Sequence, residues 1–227
     1  MENITLRRMG AVCAILGAIV TGVSNGMHPE LAEPAGIVRN AATSSGWTLV
    51  HWGLITGMVL MQLGYLALAT TLRISGSDTA SDWGSLSVHM LTLGLALWLC
   101  VFAAEASLTP LAETTRAGSG GGALALAGFV EATATAATFV YWLGVALLGG
   151  ALFLSQRYPR WIGATGVALG ASISLSVGLL KAFSGASAWT ERYGFQTLAT
   201  LFLLWTLALG LLLWREPFRY AQPRGGE

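Results

Sequence analysis

The stretch Trp47-Thr-Leu-Val-His51-Trp52-Gly53 opens a run that stays almost wholly apolar to residue 72. About 20 consecutive apolar residues are enough for an α-helix to cross the hydrocarbon core of a bilayer. Residues 47–72 therefore read as a membrane span that carries an imidazole between two tryptophans near its start. His51 is either part of a site or a residue held at the membrane surface, and the rest of the chain bears on that choice.

Working outward, the same criterion gives six spans, at 9–27, 47–72, 83–107, 123–154, 161–184 and 193–214. Loop chemistry separates them: His28-Pro29-Glu30 with Pro34, then Ser75-Gly-Ser-Asp78, Gly118-Ser-Gly-Gly-Gly122, Gln156-Arg-Tyr-Pro159-Arg and Ser184-Gly-Ala-Ser187. Lipid offers no hydrogen bonds to a free backbone, so runs of this kind are helical. Arg7-Arg8 before the first run has the layout of a signal peptide, but the run is read as a retained first span. The expected fold is all-α: one polytopic membrane domain over residues 1–227, built as a six-helix bundle.

Composition agrees. The 227 residues are 54% hydrophobic and only 10% charged, against about 25% charged in soluble proteins. So few charges cannot clothe a water-facing surface, and the bilayer is the expected partner. Twelve basic and eleven acidic residues leave a net charge of +1, too little positive excess for nucleic-acid binding. Cys13 and Cys100 fall at different depths of their runs, which argues against a disulfide.

Orientation follows from the basic residues. With the N-terminus cytoplasmic, the inner side carries eight: Arg7, Arg8, Arg73, Arg157, Arg160, Arg215, Arg219 and Arg224. The outer loops carry three, Arg39, Arg116 and Arg192, with Lys181 near an outer helix end. Both termini are expected in the cytoplasm, and the chain in a plasma or inner membrane. Trp47, Trp52 and Trp189 would mark the outer interface and Trp83, Trp161 and Trp214 the inner one, while Trp98, Trp142 and Trp205 pack deeper. A faint echo of Gly10-Ala11 and Leu16-Gly17-Ala18 in Gly163-Ala164 and Leu169-Gly170-Ala171 is within what helix-packing glycines produce by chance.

This topology brings ionisable residues to one depth. His28, His51, Glu105, Glu131 and Lys181 all fall at the outer leaflet, once the membrane part of the overlong fourth run is set at 135–154. His89, on the third span, falls in the inner half. Helical periodicity adds interior stripes: His51, Ile55, Met58, Gln62 and Tyr65 on span two; Glu131, Thr135, Thr138 and Trp142 on span four; Gly163, Gly170, Ser174 and Lys181 on span five; Gln196 and Thr200 on span six.

Two chemistries suit such a cluster. His51, Glu105, Glu131 and His28 offer imidazole and carboxylate ligands for a divalent metal. Alternatively His51 and the carboxylates exchange protons while Lys181 fixes an anionic or polar ligand, with Gln62 and Tyr65 extending the pocket inward. Structural explanations stand beside these. His51 also reads as an interface histidine bonded to a loop, Glu105 and Lys181 as residues snorkelling to headgroups, and His28 as a loop residue. His89 reads as a buried partner of a backbone carbonyl before a haem ligand, and Gly166-x-x-x-Gly170 as a packing notch before an oligomer contact. The leading functional expectation is a pocket open to the outer face that binds or transports a small polar solute, ion or lipid headgroup. The alternatives are a metal- or haem-dependent membrane enzyme and an accessory subunit, in a homo-oligomer or a larger membrane complex.

Overall fold

A computed structural model of the chain describes residues 4–29, 34–75, 77–114, 121–155, 157–176 and 196–215. Among these there are no strands, and the helices are α1 (Ile4–Met27), α2 (Pro34–Thr43), α3 (Trp47–Ser75), α4 (Asp78–Ala106), α5 (Leu108–Thr114), α6 (Gly121–Leu154), α7 (Arg160–Ile173) and α8 (Gln196–Arg215). Five of them, α1, α3, α4, α6 and α8, are long and apolar enough to cross a membrane. The expected span at 161–184 begins with α7, and its second half lies outside the described residues.

Six helices close into a ring. Around it α1 packs on α3, α3 on α4, α4 on α6, α6 on α7, α7 on α8 and α8 back on α1. Small residues set the spacing, as expected where lipid removes the hydrophobic drive between helices and van der Waals contact takes over. Gly10 abuts Ala67, Gly17 abuts Gly57 and Met61, Gly57 abuts Thr21, and Gly64 abuts Ala14. Positions rise along α1 as they fall along α3, so this pair is antiparallel. Gly94 against Tyr141 and Gly144 against Leu91 give the same relation for α4 and α6. So do Gly149 against Gly163 and Gly166, and Gly170 against Ala146, for α6 and α7. Gly163 and Gly170 are thus notches for a neighbouring helix.

The first turns of α1 and the last turn of α8 share one end of the bundle, where the Arg8 guanidinium lies 5.6 Å from the Trp214 ring. At that end Arg157 Nη1 also donates to the Thr71 carbonyl, one turn before the end of α3, at 3.1 Å. Tyr158 and Thr71 hydroxyls bond at 2.8 Å beside it.

The opposite end carries a helical cap that loop chemistry concealed. Two stretches read as plain connections contain α2 and α5, and these meet the start of α6. Ile37, Ala41, Trp47 and Leu108 pack with Leu126 in one cluster, and Val38, Ala112, Ala123 and Ala127 with Ala42 in another. Pro34 begins α2, the first helical position where its missing N–H costs nothing. The cap also explains the length of α6: its 34 residues extend about 51 Å, against a hydrocarbon core of about 30 Å.

Several expectations are corrected. Trp47 is buried, whereas Trp52 is 58% exposed, so only the second of the pair is placed to mark an interface. Gln196 and Thr200 are exposed, because α8 turns Phe202, Trp205, Thr206, Leu209 and Leu213 inward. His89 is exposed rather than buried, though its Nδ1 does donate to a carbonyl, that of Ser85, at 2.7 Å. Trp189 lies outside the described residues.

At Gly17 an added side chain would meet the Met61 backbone nitrogen and the Gly57 carbonyl. Neither can rotate away. Gly17→Leu is expected to force α1 off α3 and destabilise by at least the ~1–3 kcal/mol typical of overpacking, read as a lowered thermal midpoint of the purified protein in detergent.

Candidate metal centre

His51 is one turn into α3 and fully buried, with its Nε2 facing the residue after α1 and the last turn of α4. Its Nδ1 lies 2.6 Å from the Trp47 carbonyl oxygen. A carbonyl only accepts, so Nδ1 carries the proton, and in the neutral ring Nε2 carries the lone pair. That Nε2 is 3.1 Å from Glu105 Oε2 on the last turn of α4. It is also 3.2 Å from Nε2 of His28, just past the end of α1.

His28 repeats the pattern. Its Nδ1 donates to the Pro29 carbonyl at 2.7 Å, which again leaves Nε2 as the free electron pair. Burial pushes the His28 pKa below the ordinary histidine value; the Glu105 carboxylate and the Pro29 carbonyl pull it back in part, and His51 adds to the lowering. Desolvation thus favours the neutral imidazole, the form that can act as a ligand.

The third member is held by its backbone. Trp47 Nε1 donates to the Glu105 carbonyl oxygen at 2.6 Å, across the α3–α4 seam. The Trp47 ring also stands 4.5 Å from the His51 ring and 5.6 Å from that of His28, centroid to centroid. Phe102, one turn before Glu105, closes the inner side at 6.4 Å from the His51 ring. One ligand-type atom from each of His28, His51 and Glu105 lies within 4.8 Å of the other two. Two imidazole nitrogens and a carboxylate are a ligand set for a divalent transition metal.

The remaining residues expected at the site fall elsewhere. Glu131 does not join the three. Here α6 runs out into the cap, burying Ala123, Ala127 and Val130, and leaves Glu131 exposed, next round the helix from Val130. Lys181 lies outside the described residues. Gln62 is about 16 Å from His51 along α3, where its Nε2 donates to Thr92 at 3.0 Å. Tyr65 bonds to Thr206 at 2.6 Å. Between them and His51 the stripe is filled by Ile55 and buried Met58, so the polar positions do not form a continuous pocket. A groove on the α1–α3 flank is lined mainly by Val20, Val23, Met27, Leu49 and Trp52, an apolar surface that includes none of the three clustered residues.

By its position at the start of a span, Trp47 reads as an interface marker. Its role as the group that holds Glu105 depends on a contact 58 residues away in the chain, and no local pattern signals it.

A scan against protein-family models found no match, and searches of curated proteins and of solved structures found none either.

Trp47→Ala is expected to cost about 3–5 kcal/mol, as for large buried aromatics, and to loosen the cap, measured as faster proteolysis of 34–47 in detergent. Tyr65→Phe is expected to cost about 0.6–1.7 kcal/mol, as for interhelical hydrogen bonds in membranes, read as a lowered thermal midpoint in detergent.

Proposed function

We propose that this chain is a six-span membrane protein, with α7 beginning the fifth span and both termini cytoplasmic, whose outer end binds a small cation. The arginine asymmetry read from the sequence supports this orientation, and a plasma or inner membrane is the setting proposed. The contact of Arg8 with Trp214 supports the two chain ends lying on the same side. Arg157 belongs to the α6–α7 connection and Arg160 begins α7, and the alternating helix directions bring both to the same end.

One observation carries the functional reading. His28 Nε2, His51 Nε2 and Glu105 Oε2 converge in a buried cluster at the opposite end of the bundle. Three electron-pair donors brought together out of water form a costly arrangement unless something positive sits among them. Binding is favoured over conduction, since the stripe below His51 continues as packed Ile55 and Met58. An ion entering from the outer side would meet apolar packing rather than a second polar station.

Two measurements test this. In a background with Cys13 and Cys100 replaced, Asn40→Cys is expected to react with an impermeant maleimide on intact cells, and Arg157→Cys only after permeabilisation; the reverse pattern would overturn the orientation. For the site, a panel of Na⁺, K⁺, Mg²⁺, Ca²⁺, Mn²⁺ and Zn²⁺ is expected to include at least one ion that raises the thermal midpoint of the native protein and not that of Glu105→Gln. A panel without effect, or one that acts equally on the variant, would sink the cation reading.

A further inference from the structure

The geometry points to a divalent transition-metal ion as the occupant, held by His28 Nε2, His51 Nε2 and Glu105 Oε2, with a fourth coordination position left for a solvent-derived or anionic ligand. This rests on the reading of the outer end as a cation site and names the class of cation.

Distances come first. With metal–nitrogen bonds of about 2.0–2.1 Å, neighbouring ligand atoms of a tetrahedral centre stand about 3.3–3.4 Å apart. The two short edges here are 3.2 Å between the imidazole nitrogens and 3.1 Å between His51 Nε2 and Glu105 Oε2. These two edges already sit near the spacing that an ion would impose; the third, between His28 and Glu105, lies within 4.8 Å, so the carboxylate or the His28 ring closes by up to about 1.4 Å to complete a tetrahedral set.

A proton does not serve as well. Nδ1 of each ring faces a carbonyl oxygen, so any further proton sits on an Nε2 or on the Glu105 carboxylate. Placed on Glu105, it serves His51 Nε2 and leaves the two imidazole lone pairs facing each other. Placed on His51, it points along one of the two short contacts and leaves the other poorly aligned. Placed on His28, it serves the histidine pair and sets the His51 lone pair against the carboxylate oxygen. An ion at the common centre satisfies all three donors at once.

The donor set then selects among ions. Calcium prefers six to eight oxygens and magnesium a near-octahedral oxygen shell. Two imidazoles and one carboxylate suit zinc, iron, manganese or cobalt, and three protein ligands are the count at which catalytic-type zinc sites keep a position open. The outer shell is also of the kind that metal sites use. Each histidine donates its other N–H to a backbone carbonyl, fixing tautomer and ring orientation, and Trp47 grips the Glu105 peptide. Two neutral imidazoles and one carboxylate around a 2+ ion leave a net positive charge, so the fourth position favours an anionic or ionisable ligand.

The test uses the full chain, purified in detergent, stripped with chelator and titrated with Co²⁺. The expected result is one Co²⁺ per chain with the intense visible absorption of a tetrahedral ion, displaced by one equivalent of Zn²⁺. Trp47→Phe is expected to weaken Co²⁺ by roughly 10–100-fold, the effect of losing an outer-shell partner, and His51→Ala and Glu105→Gln by more. Should His51→Ala not fold, Glu105→Gln and His28→Asn carry the comparison, with helical circular dichroism and a monodisperse elution as the check on folding. If Ca²⁺ or Mg²⁺ raises the thermal midpoint through Glu105 while Co²⁺ gives no tetrahedral spectrum, the transition-metal assignment is overturned and the cation site stands. Co²⁺ bound equally by all variants would overturn the assignment to these three residues. No response to any cation would overturn both readings.

Discussion

The close approach of α1 to α3 governs where the other parts fall. At Gly10, Gly17, Gly57 and Gly64 the two helices meet with almost no side chain between them. Such a contact admits one register, because shifting either helix by a turn would drive side chains into backbone. That register runs α1 antiparallel to α3, and it brings the chain out of α1 beside the first turns of α3. His28 and His51, 23 residues apart in sequence, become ring neighbours with centroids 4.9 Å apart. The imidazole pair is a consequence of glycine packing far below it.

Glu105 reaches the pair by a second antiparallel seam, and here polar bonding does the aligning. Gln62 donates to Thr92 midway along α3 and α4, and Trp47 donates to the Glu105 carbonyl at the end. Contacts of this kind hold helices together in a medium where apolar surface alone gives no preference. Gln62 and Tyr65 are thus better understood through the helices they join than through the solutes they touch. Tyr65 bonds to Thr206 on the far side of the bundle, and its ring packs against Phe202 and Trp205. These groups join helices well below the His51 cluster without being part of it.

The cap completes the environment. A cluster of polar side chains at the end of the bundle would hydrate unless covered, and water around it weakens the charge interactions within it. Trp47 belongs both to the apolar cap cluster and to the site, so packing of α2 and α5 is transmitted to the position of Glu105. His28, the least buried of the three, stands where the coverage is thinnest.

The sequence by itself pointed to a bilayer and to the long helices. Long apolar runs with few charges suit lipid, and lipid favours helices; α1, α3, α4, α6 and α8 are long and apolar enough to cross a membrane. It also determined that His28, His51 and Glu105 lie near helix ends on the same side, since depth along a helix follows from counting residues. Depth is one coordinate of three. Whether groups at one depth touch depends on which helices are neighbours and how each is rotated, and long-range packing decides both. Glu131 shows the difference: its depth fitted the cluster, yet α6 at that level buries Val130 and leaves Glu131 exposed. Trp47 shows the converse, since an aromatic residue at a span boundary normally faces headgroups, and only the fold of α2 and α5 over it turned it inward. Loop-like composition hid those two short helices because their apolar faces span only one or two turns, too little periodicity to stand out until a partner surface is present.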